Sequence, residues 1–173
     1  MAREAQETSV RRMGALLLER GFHLGLAESC TGGMLAERIT SVSGASGYFL
    51  GGVVSYDDRV KETVLGVSPD VIVEHGAVSA ECALAMARGV RLLLSAEVAV
   101  SITGVAGPGG GTDAKPVGTT YIAVVTPGGE RVEQDAWEGS RRAYRDTQVG
   151  AAVKPAVSCR VGEGRVGKRE TRG

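Results

Sequence analysis

Residues 43–61, which read SGASGYFLGGVVSYDDRVK, combine a turn, a strand and the start of a helix. The first five residues are small and typical of a tight turn, and the apolar run over residues 51–55 predicts a short buried strand. Tyr56 ends this strand. Two aspartates then supply the acidic start of a helix that carries Lys61, because carboxylates are favoured at helix N-termini. This stretch therefore predicts the strand-to-helix unit of an α/β protein.

Three side chains of this stretch form a candidate catalytic group. Ser46 lies on the turn, Tyr56 at the strand end and Lys61 in the first helical turn, so we expect them to converge. Such a trio suits acyl transfer: the serine attacks, a desolvated lysine takes its proton, and the tyrosine relays or orients. All three residue types are also common on protein surfaces. Spacing alone therefore leaves a purely structural role open for each of them.

The rest of the chain alternates helical and strand patterns. Apolar residues at a spacing of 3.6 predict a helix over residues 5–20, and Gly21 follows as a C-cap. Local patterns predict these further elements: a strand over 22–27, a turn over 28–33, a helix from Met34, a short helix capped by Ser68 with Pro69 in its first turn, a helix from Ser79 to about 94, strands over 98–103, 119–126 and 131–137, and a last helix from near Ser140.

This order of elements predicts the fold class. Helices alternate with strands early and a hairpin ends the sheet, so we expect a single-domain α/β protein, a three-layer α/β/α sandwich with a mixed sheet. Residues 98–103 suit its central strand. Ligands of such folds lie outside the carboxyl ends of the strands. The loops after Ala27, Tyr56 and Thr103 should gather there.

Composition limits the classes of function. The chain has 173 residues with 20 basic and 20 acidic side chains, so its net charge of zero argues against nucleic acid as a partner. It shows neither a signal-peptide core nor an 18-residue apolar run, so we expect a cytoplasmic protein without a membrane partner. Its scattered cysteines, Cys30, Cys82 and Cys159, fit neither a disulfide framework nor a zinc site.

The sequence changes character at Lys154. Residues 154–173 contain several glycines, mostly basic charge and no helical stripe. We therefore divide the chain into a domain over 1–153 and a tail over 154–173 that is disordered or an artefact of cloning or reading frame. The alternation of Val157, Cys159 and Val161 leaves open a tail that docks as a strand.

Four motifs, taken together, resemble one family. In chain order they are AESCTGG (27–33), GASGYF…VVSYDDRVK (44–61), HGAVS (75–79) and SITGVAGPGGGTDAKPVGTTYIAV (101–124). They resemble the CinA C-terminal domain, the nicotinamide-nucleotide amidase family, over about residues 5–150. The resemblance implies hydrolysis of the carboxamide of nicotinamide mononucleotide to nicotinic acid mononucleotide and ammonia. It also implies Ser46, Tyr56 and Lys61 as catalytic residues, no metal and no cofactor, and we expect a homo-oligomer, a dimer or larger.

The substrate phosphate needs its own pocket. Members of the family usually read Phe-x-Gly-Asp-Arg before the last helix, with a second arginine one turn later; this chain keeps Arg141 and Arg145 but has Ser140 in place of the aspartate. Glycine-rich backbone can cradle an anion and arginines can clamp a phosphate, although a plain turn and a solvated helix face are the alternatives. The predicted substrate contacts are Ser29, Thr31, Gly32, Gly104, Ala106, Gly107, Arg141 and Arg145.

Two questions stay open at this stage. Ser29, at the start of a helix, is the rival of Ser46 for the nucleophile, whereas Cys30 would need a histidine and neither His23 nor His75 has an obvious route to it. We interpret Cys30 as a core thiol. The second class of function is a non-catalytic nucleotide-binding or regulatory module, associated with competence.

Overall fold

The computed structural model describes the backbone of residues 2–158 and the side chains of residues 4–153. Its elements, in chain order, are α1 (Ala2–Arg20), β1 (Leu24–Glu28), α2 (Met34–Thr40), a 3₁₀ turn (Ala45–Gly47), β2 (Phe49–Val54), α3 (Asp58–Thr63), α4 (Pro69–His75), α5 (Ala80–Leu94), β3 (Val98–Gly104), β4 (Thr120–Thr126), β5 (Gly129–Asp135) and α6 (Arg141–Ser158). None of the helices in this part of the chain is both long and apolar enough to cross a bilayer.

The five strands form one mixed sheet in the order β2-β1-β3-β4-β5. Strand β1 is parallel to β2 and β3, while β4 is antiparallel to β3 and β5. One apolar cluster, with Met13, Leu35 and Val149, packs α1, α2 and α6 on one face of the sheet. A second, with Met86 and Val90, packs α5 on the other face. The predicted three-layer α/β/α sandwich with a mixed sheet and a central β3 is confirmed.

Short-range side-chain contacts begin the helices where the sequence predicts. Asp57, Ser68 and Ser79 each accept a hydrogen bond from a backbone N–H in the first turn of α3, α4 and α5. Such caps satisfy N–H groups that have no partner within the helix. Gly21 follows α1 with a φ of 64°, which is a left-handed conformation that glycine adopts without strain.

Strand β2 is an edge of the sheet. Its pairing with β1 shifts register between Phe49 and Gly51, which leaves Leu50 as a bulge. The side chains of Leu50 and Val54 are 47% and 49% exposed. The outer backbone groups of this apolar edge strand therefore pair with no other strand among the described residues.

Helix α6 extends further than the sequence predicts. Its backbone is helical through Ser158, so the predicted boundary at residue 153 falls inside the helix, and Pro155 does not end it. The first part of α6 is anchored because Tyr144, Val149, Ala152 and Val153 are buried in the core. The rest of the predicted tail, residues 159–173, lies outside the described residues.

Candidate active site

The loops that follow β1, β2 and β3 meet at the carboxyl edge of the sheet. Ser29 N donates to Ile102 O at 2.9 Å, and Ser55 N donates to Glu28 O at 2.8 Å, so the three strand ends stay paired up to their loops. This is the edge at which ligands of open α/β sheets bind. The candidate site is therefore built here.

Glu28, the last residue of β1, occupies the N-terminus of α2. Its buried carboxylate accepts hydrogen bonds from the N–H groups of Gly33 at 3.1 Å, Leu35 at 3.0 Å and Ala36 at 2.9 Å. The positive end of the helix dipole thus faces a carboxylate of the protein itself. The free N–H groups at the start of α2 are therefore already occupied by Glu28, and the predicted substrate contacts of Ser29 and Thr31 stay a prediction that does not depend on this helix dipole. Glu28 was predicted only as part of the turn, although its position just before the helix could have indicated this role.

Arg145 reaches from α6 to the turn after β1. Its Nη2 donates to Thr31 O at 2.5 Å. Gly32, at a φ of 58°, makes room for this contact, because a Cβ there would lie 3.0 Å from the same nitrogen. Thr31 Oγ1 and Arg145 Nε are buried and have no hydrogen-bond partner among the described residues. An unpaired buried polar group costs about 1–3 kcal/mol, so this turn is held at the expense of two unsatisfied polar atoms.

Arg141, the first residue of α6, connects two further loops. Its Nη1 donates to Gly107 O at 2.6 Å and its Nη2 donates to the Tyr56 hydroxyl at 2.9 Å. The preceding Ser140 caps the start of this helix, since its Oγ accepts from Ala143 N at 3.3 Å. The structure thus brings together Tyr56, Arg141 and the glycine-rich loop.

Part of the glycine-rich loop serves packing. A Cβ on Gly104 would clash with the Tyr144 hydroxyl, and one on Gly107 would clash with Val117. The Tyr144 hydroxyl lies 2.5 Å from Thr120 Oγ1 and 3.5 Å from Cys30 Sγ. Ala106 is buried beside them. These contacts hold the side of the loop that faces the core, so only the groups on its solvent side can contact a ligand.

Burial governs the chemistry of the thiol at this site. It raises the pKa of Cys30, so the thiolate is disfavoured there. His23 lies beside Glu97, before β1, and His75 lies beside Glu74 and Glu81 at the end of α4. Neither histidine contacts Cys30 among the described interactions, in agreement with its interpretation as a core thiol.

Lys61 is enclosed beneath the Tyr56 loop. Its side chain is 2% exposed, and its Nζ lies 3.0 Å from Asp58 Oδ1. The same nitrogen is 3.4 Å from the Tyr56 carbonyl oxygen. Lys61 therefore contacts the backbone of Tyr56, while the hydroxyl of Tyr56 is held by Arg141.

Ser46 and Tyr56 lie at opposite ends of strand β2. It is exposed on the 3₁₀ turn that precedes β2, whereas Tyr56 follows β2. A six-residue strand, which is the length of β2, spans about 20 Å at about 3.3 Å per residue. The prediction that Ser46 converges with Tyr56 and Lys61 is wrong within one chain, because the extended strand holds them apart. Ser29 lies at the correct edge but is 9% exposed.

Comparison with known proteins shows which proteins this chain is similar to. The family model described as the CinA C-terminal domain matches residues 6–159. A CinA-like protein of Geobacter sp. (strain M21) is 51% identical over 142 residues, which are 82% of this chain and 34% of that protein. A putative competence-damage inducible protein of Moorella thermoacetica is 48% identical over 128 residues, 74% of this chain and 31% of that protein. The chain thus spans about a third of the length of these relatives.

Solved structures are similar over nearly the whole fold. The competence damage-inducible protein A (ComA) of Klebsiella pneumoniae superposes with a TM-score of 0.87 at 29% identity, covering 92% of this chain and 99% of that one. The competence/damage inducible protein CihA of Agrobacterium tumefaciens gives 0.84 at 34% identity, covering 87% and 92%. Both contain the same arrangement of helices around a mixed sheet.

Proposed function

We propose, from the premise that this chain belongs to the CinA C-terminal domain family, that it is a nicotinamide-nucleotide amidase. It hydrolyses the carboxamide of nicotinamide mononucleotide, with water, to nicotinic acid mononucleotide and ammonia. The site uses a serine nucleophile with Tyr56 and Lys61, and requires neither a metal nor a cofactor. The resemblance of the motifs supports this assignment.

One observation carries the proposal. The Arg141 guanidinium lies between the Tyr56 hydroxyl and the carbonyl of Gly107, at 2.9 and 2.6 Å. Arginine is suited to phosphate because its planar fork can donate two parallel hydrogen bonds. A phosphate bound by Arg141 would therefore hold the rest of a small nucleotide beside Tyr56. Arg145, whose Nη2 donates to Thr31 O, brings a second guanidinium to the loops at this edge.

The proposed chemistry is that of a serine amidase. The serine oxygen forms a bond to the amide carbon, and its proton passes to the base that the resemblance assigns, Lys61, with Tyr56 as the relay or orienting group. The C–N bond then breaks and the nitrogen leaves as ammonia with that proton. Water next attacks the acyl-serine, releases the carboxylate and restores the serine hydroxyl. The resemblance assigns the nucleophile to Ser46; Ser29 is the rival on the same chain.

Ammonia release tests the proposal directly. The purified full chain is incubated with nicotinamide mononucleotide, ammonia is measured with glutamate dehydrogenase, and the nucleotide product is identified by mass. We expect equal amounts of ammonia and nicotinic acid mononucleotide. Absence of both, from folded protein at high concentration, would reject the amidase.

A second candidate function is supported by the separation of Ser46 from Lys61 within one chain. A nucleotide-binding module without catalysis needs the arginines and the loops but no nucleophile. Relatives named as competence-damage inducible proteins are compatible with such a role. Calorimetric binding of nicotinamide mononucleotide without any release of ammonia would favour the module over the enzyme.

A further inference from the structure

Strand β2 has the surface of an interface. Residues 48–56, YFLGGVVSY, contain no charged side chain, although β2 is an edge strand. Leu50, Val54 and Tyr56 are 47%, 49% and 60% exposed. Charges, prolines or bulges usually protect an exposed edge strand from pairing with another chain. Strand β2 has only the bulge at Leu50, and the side chain of this bulged residue is itself apolar and exposed.

The candidate catalytic residues are symmetric about the middle of this strand. Ser46 lies five residues before Gly51, and Tyr56 lies five residues after it. A two-fold axis through the middle of a strand makes the two copies antiparallel, so that the start of one strand lies beside the end of the other. Such an axis near Gly51 brings Ser46 of each copy to Tyr56 of its partner.

We propose that two copies of this chain associate through antiparallel β2 edges about an axis near Gly51, and that each active site is completed by the partner's Ser46. The dimer explains how Ser46 of one copy reaches Tyr56 of the other, although within one chain the two residues lie at opposite ends of β2. The assignment of Ser46 as nucleophile rests on the proposed amidase function; the association itself does not.

The side chains along the strand suit this register. Gly51 faces its own symmetry mate, and a Cβ built on it would meet nothing within 4 Å, so another backbone can approach. Leu50 lies opposite Gly52, which leaves room for it. Directly opposed residues of an antiparallel pair lie about 4.5–5.5 Å apart between Cα atoms, so this register places the turn that carries Ser46 next to the loop that carries the partner's Tyr56.

Subunit complementation tests the shared site. Ser46→Ala and Lys61→Met chains, each inactive alone, are co-expressed with different tags and the mixed dimer is purified through both. If the sites are shared, one site of the mixed dimer combines Lys61 of the Ser46→Ala chain with Ser46 of the Lys61→Met chain, and so carries neither substitution. The other site carries both, so we expect about half the wild-type specific activity. The matched control pairs a Ser46→Ala chain with a chain carrying both substitutions, and it should stay inactive. No recovered activity in the first mixed dimer overturns the shared site.

A cross-link tests the arrangement without activity. Cysteines replace Ser46 and Tyr56 in a chain whose Cys159 is changed to serine, and the protein is oxidised. A disulfide needs Cβ atoms about 3.5–4.5 Å apart, which β2 forbids within one chain. We expect a covalent dimer of twice the 17.9 kDa chain mass on a non-reducing gel. A Val73→Cys chain in the same Cys159→Ser background, cysteine-substituted away from β2, should stay monomeric on that gel.

The two tests separate the two proposals. A covalent dimer from a protein that releases no ammonia retains the association and rejects the amidase. Ammonia release by a protein that forms neither the cross-link nor an active mixed dimer retains the amidase and rejects the association. A cross-link without complementation retains the dimer and removes Ser46 from the chemistry.

Discussion

Arg141 Nη2 donates to the Tyr56 hydroxyl at 2.9 Å and so joins the start of α6 to the end of β2. The two residues are 85 positions apart in the chain. This contact forms one wall of the candidate site, because the same guanidinium also holds the glycine-rich loop at Gly107. A change at Arg141 should therefore affect how substrate is held more than how the protein folds.

Arg141→Ala is expected to lower kcat/KM for nicotinamide mononucleotide by about 10- to 100-fold, which corresponds to the loss of one charge-assisted contact of about 1.5–3 kcal/mol. Steady-state kinetics on the nucleotide and on nicotinamide riboside measure it. The wild type should prefer the nucleotide, and the variant should lose most of that preference. Arg142→Ala, which removes the exposed neighbour on the same helix, is the control. An unchanged preference in Arg141→Ala would place the phosphate elsewhere.

Glu28→Gln should destabilise the fold by about 1–3 kcal/mol, because an amide replaces the carboxylate that accepts from three N–H groups at the start of α2. Urea unfolding followed by circular dichroism gives the free energy. Glu19→Gln, an exposed change on α1, should leave it unaltered. Equal stability of the two variants would mean that the carboxylate charge contributes little.

Ser140→Ala should cost about 1 kcal/mol of unfolding free energy, since Oγ caps the first turn of α6. Ser140→Asp should be as stable as the wild type, because aspartate caps equally well and favours the positive end of the helix. Thermal or urea unfolding of the three proteins decides. A loss of stability in the aspartate variant would show that this helix start is specific for serine.

Stability should fall as the pH rises above about 9. Burial raises the pKa of Cys82 from 9.0 to about 11, with Lys61 opposing the shift. Between these values the thiol ionises in the unfolded chain and stays neutral in the folded one, so the unfolded state is favoured as the pH rises. Unfolding at pH 8 to 11 measures the slope. Cys82→Ala should flatten it, and an identical slope in that variant would assign the effect to other groups.

Leu50→Lys should separate the proposed dimer into single chains. The substitution places a positive charge on β2, and this charge opposes the pairing of β2 with β2 of the second copy. Light scattering should then give the mass of one chain, and ammonia release should fall with it while circular dichroism stays unchanged. Val73→Lys introduces the same charge at a side chain that is 83% exposed on α4, and should stay dimeric. A dimeric, active Leu50→Lys protein would contradict the β2 interface.

Local patterns predicted the elements well because the forces that begin and end them are local. Asp57, Ser68 and Ser79 cap helices through N–H groups two or three residues away, and such contacts can be identified from the sequence. The mixed sheet followed from the alternation of patterns and the late hairpin. The family motifs gave the relationship that the comparisons confirm.

The site was harder to predict because its contacts are tertiary. Closeness in sequence suggested that Ser46 meets Tyr56, but an extended strand turns ten residues into a long distance. Arg145 reaches Thr31 across 114 residues, which no single pattern encodes. The role of Glu28 depends on how sharply the chain turns into α2.

The hydroxyl of Tyr144 gives α6 a fixed registration. It is anchored to Thr120 and touches Cys30, and the backbone of Gly104 closes over it. These contacts fix the first turn of α6 against β3, β4 and the turn after β1. Arg141 and Arg145, each within one turn of Tyr144, are therefore placed at the candidate site by the packing of α6, so a ligand bound by them would restrict their backbone no further.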